Sequence, residues 1–204
     1  MYPDFTTTLV TDAAGVLFYG ERTAIDLCCE RYGLTPKQIA EAISARNLNR
    51  ELPEIKGCYS IFQRMFENAK IPDEAREAMD FVKVGRGCDI HVSTNAEPSW
   101  VWKALKNNGL FYILSVLGRD DGRKETHLQK IVNAWGKNYT DIIVVGDNPH
   151  DFLGNLDNDG IQIIKVAVNV APGRVEEFQN VGVNIIEPGP LTVQVMKNAF
   201  KKVK

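Results

Sequence analysis

Three short segments place polar, chemically useful side chains where a buried strand would prefer none. In Leu9-Val10-Thr11-Asp12-Ala13-Ala14-Gly15, an apolar run ends in a carboxylate followed by small residues. A carboxylate leaving the end of a strand can act as a nucleophile or a metal ligand, with Gly15 allowing a tight turn behind it. A strand-ending Asp also serves as a turn former or helix cap. In His91-Val92-Ser93-Thr94-Asn95 a second run ends in hydroxyls, which can donate to a phosphate oxygen or cap the next helix. The third segment runs from Ile142 through Val145 into Gly146-Asp147-Asn148-Pro149-His150-Asp151. Two carboxylates so close repel unless positive charge lies between them. Hard oxygen ligands at a strand end suit Mg²⁺, which takes one or two carboxylates with waters and substrate phosphate. A turn with an Asx cap would also use this pattern.

These residues need strands to deliver them. Six apolar runs rich in Val, Ile and Leu qualify: Thr8–Asp12, Ile90–Thr94, Phe111–Leu117, Ile142–Gly146, Ile161–Val168 and Val183–Ile186. Most do not alternate, as expected for strands covered on both faces of a parallel sheet. Helical spacing falls between them. Leu128, Ile131, Val132 and Trp135 share a face before Gly136, and Pro98 opens a run through Val101, Ala104 and Leu105 toward Gly109. Ala171-Pro172 opens Val175–Phe178, and the tail carries Val195, Met196, Ala199, Phe200 and Val203 on one face. Alternating strands and helices predict an open α/β sheet with right-handed crossovers.

One interval has too many helices for a simple crossover. Between the first and second strands, Ala24, Leu27 and Cys28 fit one helical face. Thr35-Pro36-Lys37-Gln38 reads as a capping box ahead of Ile39 and Ile43, Ile61, Phe62, Met65 and Phe66 form a stripe, and Ile71-Pro72-Asp73 starts another helix. The expected organisation is an α/β core of 1–20 and 88–204 with a helical unit, 21–87, inserted above the carboxyl ends of the strands. Open sheets bind ligands at that end, and an inserted lid excludes water.

Composition excludes several classes. The chain has 204 residues, 44% hydrophobic and 25% charged, which fits a folded domain rather than a disordered or collagenous chain. Its formal net charge is −2, so no basic excess attracts nucleic acid. No apolar run approaches the ~20 residues of a membrane span. The start, Met1-Tyr2-Pro3-Asp4, lacks a basic head and apolar stretch, so the expectation is a cytoplasmic protein. Cys28, Cys29, Cys58 and Cys88 lack zinc-site spacing and read as reduced cysteines.

Taken in order, the motifs resemble the haloacid dehalogenase-like (HAD) hydrolase superfamily: Asp12, then Ser93-Thr94-Asn95, then Lys124 opening a helix, then Gly146-Asp147-x-x-x-Asp151. The resemblance spans roughly Leu9 to Val168. It implies a Rossmann-like open parallel sheet with a helical C1 cap after the first strand. It also implies a Mg²⁺-dependent phosphatase acting on a small phosphorylated metabolite through an aspartyl-phosphate. Asp12 would be the nucleophile. Mg²⁺ would be held by the Asp12 carboxylate, the Ala14 carbonyl and Asp147, with Asp151 supporting directly or through water. Thr94 would hydrogen-bond the phosphoryl group, with Ser93 as the alternative one register away and Asn95 beside them on the substrate. Lys124 would offset negative charge, Arg123 being its competitor.

One position departs from the pattern. Such phosphatases usually read Asp-x-Asp-x-Thr, whereas this chain reads Asp12-Ala13-Ala14-Gly15-Val16. The second Asp, which protonates the leaving group, is Ala14. A backbone carbonyl there still serves a metal, but proton transfer must come from elsewhere, with Tyr19, Glu21 and His150 as nearby candidates. Asp-x-Ala-Gly also resembles the phosphonatase branch, for which Lys56 is the cap lysine to consider. A haloacid dehalogenase, which dispenses with the metal, is the third reading, and Gly146-Asp147 and Asp151, which suit a metal, count against it; a catalytically impaired scaffold that binds or regulates is the fourth.

Overall fold

In the computed structural model, which describes residues 7–19, 21–39, 56–135, 139–154, 156 and 160–203, each apolar run contributes a strand to one sheet. The strands are β1 (Thr7–Thr11), β2 (Asp89–Ser93), β3 (Ser115–Leu117), β4 (Asp141–Gly146), β5 (Gln162–Ala167) and β6 (Ile185–Ile186). All pairings are parallel, in the order β3-β2-β1-β4-β5-β6. The continuous apolar runs have the predicted cause, since every residue of β1 and β4 is buried. Leu9, Ile143 and Val145 pack on one face of the sheet; Val10, Ile142 and Val144 pack on the other.

Helices cover both faces. They are α1 (Glu21–Tyr32), α2 (Lys56–Asn68), α3 (Asp73–Asp80), α4 (Pro98–Asn107), α5 (His127–Trp135), α6 (Val175–Asn180) and α7 (Val193–Phe200). Val101, Ala104 and Leu105 of α4 and Val195, Met196 and Ala199 of α7 join the Leu9 face. Leu128 and Ile131 of α5 and Phe178 of α6 join the Val10 face. The order places β1 between β2 and β4. The chain therefore builds outward from β1 in one direction, returns beside it, and builds in the other. That reversal opens a crevice at the carboxyl ends of β1 and β4, the place where such sheets bind ligands.

The helices between β1 and β2 are present. The Thr35 capping box forms, with Thr35 N–H donating to Gln38 Oε1 at 2.8 Å and Gln38 N–H donating to Thr35 Oγ1 at 3.3 Å. Cys28, Ile39 and Cys58 form a small separate core that joins α1 to α2. In contrast, Ala75, Ala78 and Met79 of α3 pack into the sheet's own cluster, and a π-helical turn, Phe81–Gly85, leads on to β2. Asn108 ties this return path to α4: its amide donates to the Ala69 and Ala104 carbonyls and its Oδ1 accepts from Ile71 N–H. Ile43 and Gly136 lie outside the described residues.

Several expectations change: Val183–Ile186 is a strand only at Ile185–Ile186, and Trp135 is exposed. The Phe111–Leu117 run is a strand only at Ser115–Leu117, because Leu110 and Ile113 turn into the core while Phe111 and Leu114 face outward. Leu27 does not share the buried face of Ala24 and Cys28; it is 48% exposed. The four cysteines are free thiols. No helix among the described residues is long and apolar enough to cross a membrane.

A buried histidine on β2 sets a pH limit on this packing. His91 Nδ1 lies 2.7 Å from Ser115 Oγ and Nε2 lies 3.3 Å from Tyr139 Oη, with the Trp135 ring beside it. Burial lowers its pKa from 6.5 to about 4. The unfolded chain thus takes up a proton that the folded chain refuses across this window. Stability is fully present above about pH 6.5 and is lost as pH falls toward 4. The midpoint of thermal unfolding is expected to fall across that range, and His91→Gln to flatten the fall; an unchanged slope would refute the contribution.

Candidate active site

The candidate residues meet at the β1/β4 crevice. Asp12 follows β1 directly, and its N–H donates to the Val145 carbonyl at 2.9 Å, so the sheet register itself sets it beside Gly146. The chain then curls into one turn. Leu17 and Phe18 N–H both donate to the Ala13 carbonyl, and Gly15 N–H donates to the Phe18 carbonyl. Ala13, Val16, Leu17 and Phe18 are fully buried, which anchors the turn in the core. Val16 therefore acts as a packing residue, with no polar group to satisfy.

Gly15 adopts φ +77, a conformation that strains residues with a Cβ. A Cβ there would also collide with Asp147 Oδ2, and one on Gly146 would collide with Asp151 Oδ2. Both glycines clear space for carboxylates. After β4, Asn148 opens the short helical turn Pro149–Phe152. Asp151 Oδ2 accepts from Asp147 N–H and Asn148 N–H, both at 3.0 Å, which locks that carboxylate's orientation.

Lys124, on a short 3₁₀ turn (Lys124–Thr126) leading into α5, bridges two of the acids. Its Nζ lies 2.9 Å from Asp12 Oδ1 and 2.6 Å from Asp151 Oδ1, and all three side chains are largely buried. Arg123 is exposed, so the structure brings Lys124, and not its neighbour, into the cluster. Burial works against the Lys124 ammonium, but Asp12 and Asp151 outweigh it and hold its pKa above the ordinary lysine value. Burial also pushes the Asp12 carboxyl well above the ordinary carboxylate range; Asp151 and Asp147 add to the push and Lys124 opposes it.

Asp12, Asp147 and Asp151 each offer an oxygen within 4.8 Å of the others. One ammonium against three carboxylates leaves net negative charge in a low-dielectric place. An all-oxygen donor set of this compactness fits a hard divalent cation such as Mg²⁺.

The hydroxyls after β2 divide. Ser93 lines a small cavity with Asp12, Lys124 and Asp151, and its Oγ lies 3.0 Å from Nδ1 of the buried His127. Thr94 is buried, and its Oγ1 accepts from Ala96 N–H at 3.1 Å, capping the turn before α4. Asn95 is exposed. Two further residues carry no obvious sequence signal. His127 is fully buried and its pKa is lowered to about 4, mainly by that burial. Asn169, just past β5, holds the Gly15 carbonyl with its side-chain amide at 2.7 Å. A polar residue between Val168 and Val170 is the only hint the sequence offers. Among the acid candidates, His150 is exposed, Tyr19 approaches the Asn169 amide, and the Glu21 side chain lies outside what the structure describes, as does that of Lys56.

No protein-family model and no curated protein matches the sequence. Solved structures do match in fold. A haloacid dehalogenase-like family hydrolase from Streptococcus pneumoniae is 15% identical, with a TM-score of 0.67 over 96% of this chain and 98% of that one. A predicted phosphoglycolate phosphatase from Haemophilus somnus is 14% identical, with a TM-score of 0.65 over 97% and 99%. An L-2-haloacid dehalogenase is 13% identical, with a TM-score of 0.60 over 96% and 97%. The chain has the haloacid dehalogenase-like fold: a Rossmann-like α/β core with an all-parallel six-stranded sheet.

Removing the bridging cation exposes how much the cluster depends on it. Lys124→Met leaves two buried carboxylates unpaired and is expected to destabilise the protein by about 3–5 kcal/mol. Urea unfolding in chelator at neutral pH measures this. The loss should shrink in acid, where the orphaned carboxylates protonate; a pH-independent loss would point to packing instead.

Proposed function

We propose that the protein is a Mg²⁺-dependent phosphohydrolase that cleaves a small phosphorylated metabolite. The convergence of Asp12, Asp147 and Asp151 around Lys124 at the sheet's switch point carries this reading. A metal-free dehalogenase has no physical need for three carboxylates within 4.8 Å of one another. Asp12, the Ala14 carbonyl and Asp147 would hold the ion, with Asp151 in direct or water-mediated support. When bound, the ion supplies positive charge that offsets repulsion between the Asp12 carboxylate and a phosphate.

The chain's own residues then have separate tasks. Asp12 attacks phosphorus through a carboxylate oxygen, the ester P–O bond breaks, and an aspartyl-phosphate forms. Lys124 favours the ionised form of Asp12 against its burial and balances charge on the phosphoryl oxygens. Thr94 spends its Oγ1 lone pair on Ala96 N–H, which leaves its own proton to donate to the phosphoryl group. Ser93 contributes from the cavity lining, and Asn95, exposed two residues further on, would meet the substrate. Water attacks the aspartyl-phosphate and returns Asp12 with free phosphate. The helices of 21–87 act as a cap, of which α1, residues 36–39 and α2 share their own small core and α3 rides with the sheet.

Phosphate release from an activated aryl phosphate and from sugar and nucleotide phosphates, with and without Mg²⁺, tests the reading. Asp12→Asn is expected to abolish turnover with the fold retained, and Asp147→Ala to raise the Mg²⁺ concentration needed. Full activity in chelator would remove the metal from the proposal; full activity of Asp12→Asn would remove the nucleophile.

A further inference from the structure

Ala14 offers no proton where the resembling phosphatases have an acid, and the structure points to what replaces it. Asn169 lies at φ 55, the left-handed region that costs a residue with a side chain, yet it is not glycine. Its carboxamide accounts for that choice. One nitrogen, Nδ2, donates to the Gly15 carbonyl at 2.7 Å and reaches Tyr19 Oη at 3.3 Å. An amide nitrogen has two hydrogens, so both bonds can form together. Gly15, inside the turn that follows Asp12, and Tyr19, just past it, are thus held on one side chain.

The consequence for Tyr19 is directional. Its oxygen accepts from Asn169, so its own O–H proton is left to donate. Tyr19 is 41% exposed, so the residue is open to solvent. The residue sharing its amide, Gly15, follows Ala14 in the chain and faces the Asp147 carboxylate. His150, the other described candidate, has no such tie: its backbone N–H donates to the capping Asn148 Oδ1, and the residue is exposed.

We propose that Tyr19, oriented by Asn169, is the catalytic acid and base for an alkyl phosphate ester in place of the missing carboxyl at Ala14. The proposal rests on the phosphohydrolase reading above. As the Asp12 oxygen bonds to phosphorus, the ester P–O bond breaks and its electron pair goes to the leaving oxygen. The Tyr19 proton passes to that oxygen, releasing the alcohol and leaving a phenolate that the Asn169 N–H stabilises. In the second half, the phenolate takes a proton from the attacking water. The water oxygen bonds to phosphorus, the aspartyl P–O bond breaks, and Asp12 and Tyr19 are both restored. Asn169 is a positioning residue in this scheme.

The test compares an alkyl phosphate, whose leaving oxygen needs a proton, with nitrophenyl phosphate, whose leaving group does not. Tyr19→Phe is expected to lower the alkyl-to-aryl ratio of kcat by ~10²-fold, the usual size of general acid catalysis. Asn169→Gly removes the carboxamide while relieving the backbone. It is expected to hold or raise the thermal midpoint yet lower the same ratio, which a merely structural asparagine would not do. A ratio unmoved by Tyr19→Phe in an active enzyme overturns the assignment of Tyr19 and leaves the phosphohydrolase reading standing. A ratio moved by Tyr19→Phe but not by Asn169→Gly overturns the positioning role alone. No phosphate release by the unmodified protein from either ester overturns both readings together.

Discussion

Three carboxylates and one ammonium share the crevice at the carboxyl ends of β1 and β4, and the surrounding structure is arranged around that crowding. Like charges in a low-dielectric place raise each other's cost of ionisation. Lys124 meets part of that cost by bridging Asp12 and Asp151. Backbone N–H groups of Asp147 and Asn148 meet another part by donating to Asp151. Burial still pushes the Asp12 carboxyl upward. The site is left short of positive charge, which a divalent cation can supply. The same cation would lower the cost of bringing in a phosphate.

Topology makes such a site possible. Asp12 and Asp147 come from strands far apart in sequence, and only the adjacency of β1 and β4 brings them together. Parallel strands send both carboxylates out of the same end of the sheet, whereas an antiparallel pair would send them to opposite ends. Gly15 and Gly146 then provide the clearance that the carboxylates occupy. The buried flank Val16–Phe18 holds the turn behind Asp12, so the acid is presented by a rigid core rather than by a mobile loop.

Most of this layout was legible from residue types. Continuous apolar runs mark a sheet covered on both faces, and polar groups at the ends of those runs mark the crevice. The inserted helices follow from counting stripes between two strands. Less legible was anything decided by contacts distant in sequence. The Phe111–Leu117 run looks uniform, yet only Ser115–Leu117 pairs with β2, because Leu110 and Ile113 are claimed by the core first. Arg123 and Lys124 are equivalent cations on paper, and the start of the helical turn decides which one enters. Asn169 has no motif at all. Its function in the structure depends on a left-handed backbone and on a partner 154 positions away.

Ala14 separates two jobs that one aspartate usually combines. A metal held at this place, as proposed, would take an oxygen from the backbone, which any residue provides, so losing the side chain need not lose the ion. Proton transfer requires a side chain, and its source can move wherever geometry allows. Val16 shows the same separation: the turn needs a residue that fills the core at that point, and a methyl-rich side chain fills it without a hydroxyl. What the first motif must keep is therefore narrower than its usual form suggests. Asp12 must remain at the strand end, Gly15 must remain without a Cβ, and the turn must close on the Ala13 carbonyl. These requirements concern charge and backbone shape. They leave the acid free to reside on Tyr19, outside the motif but tied to it through one amide.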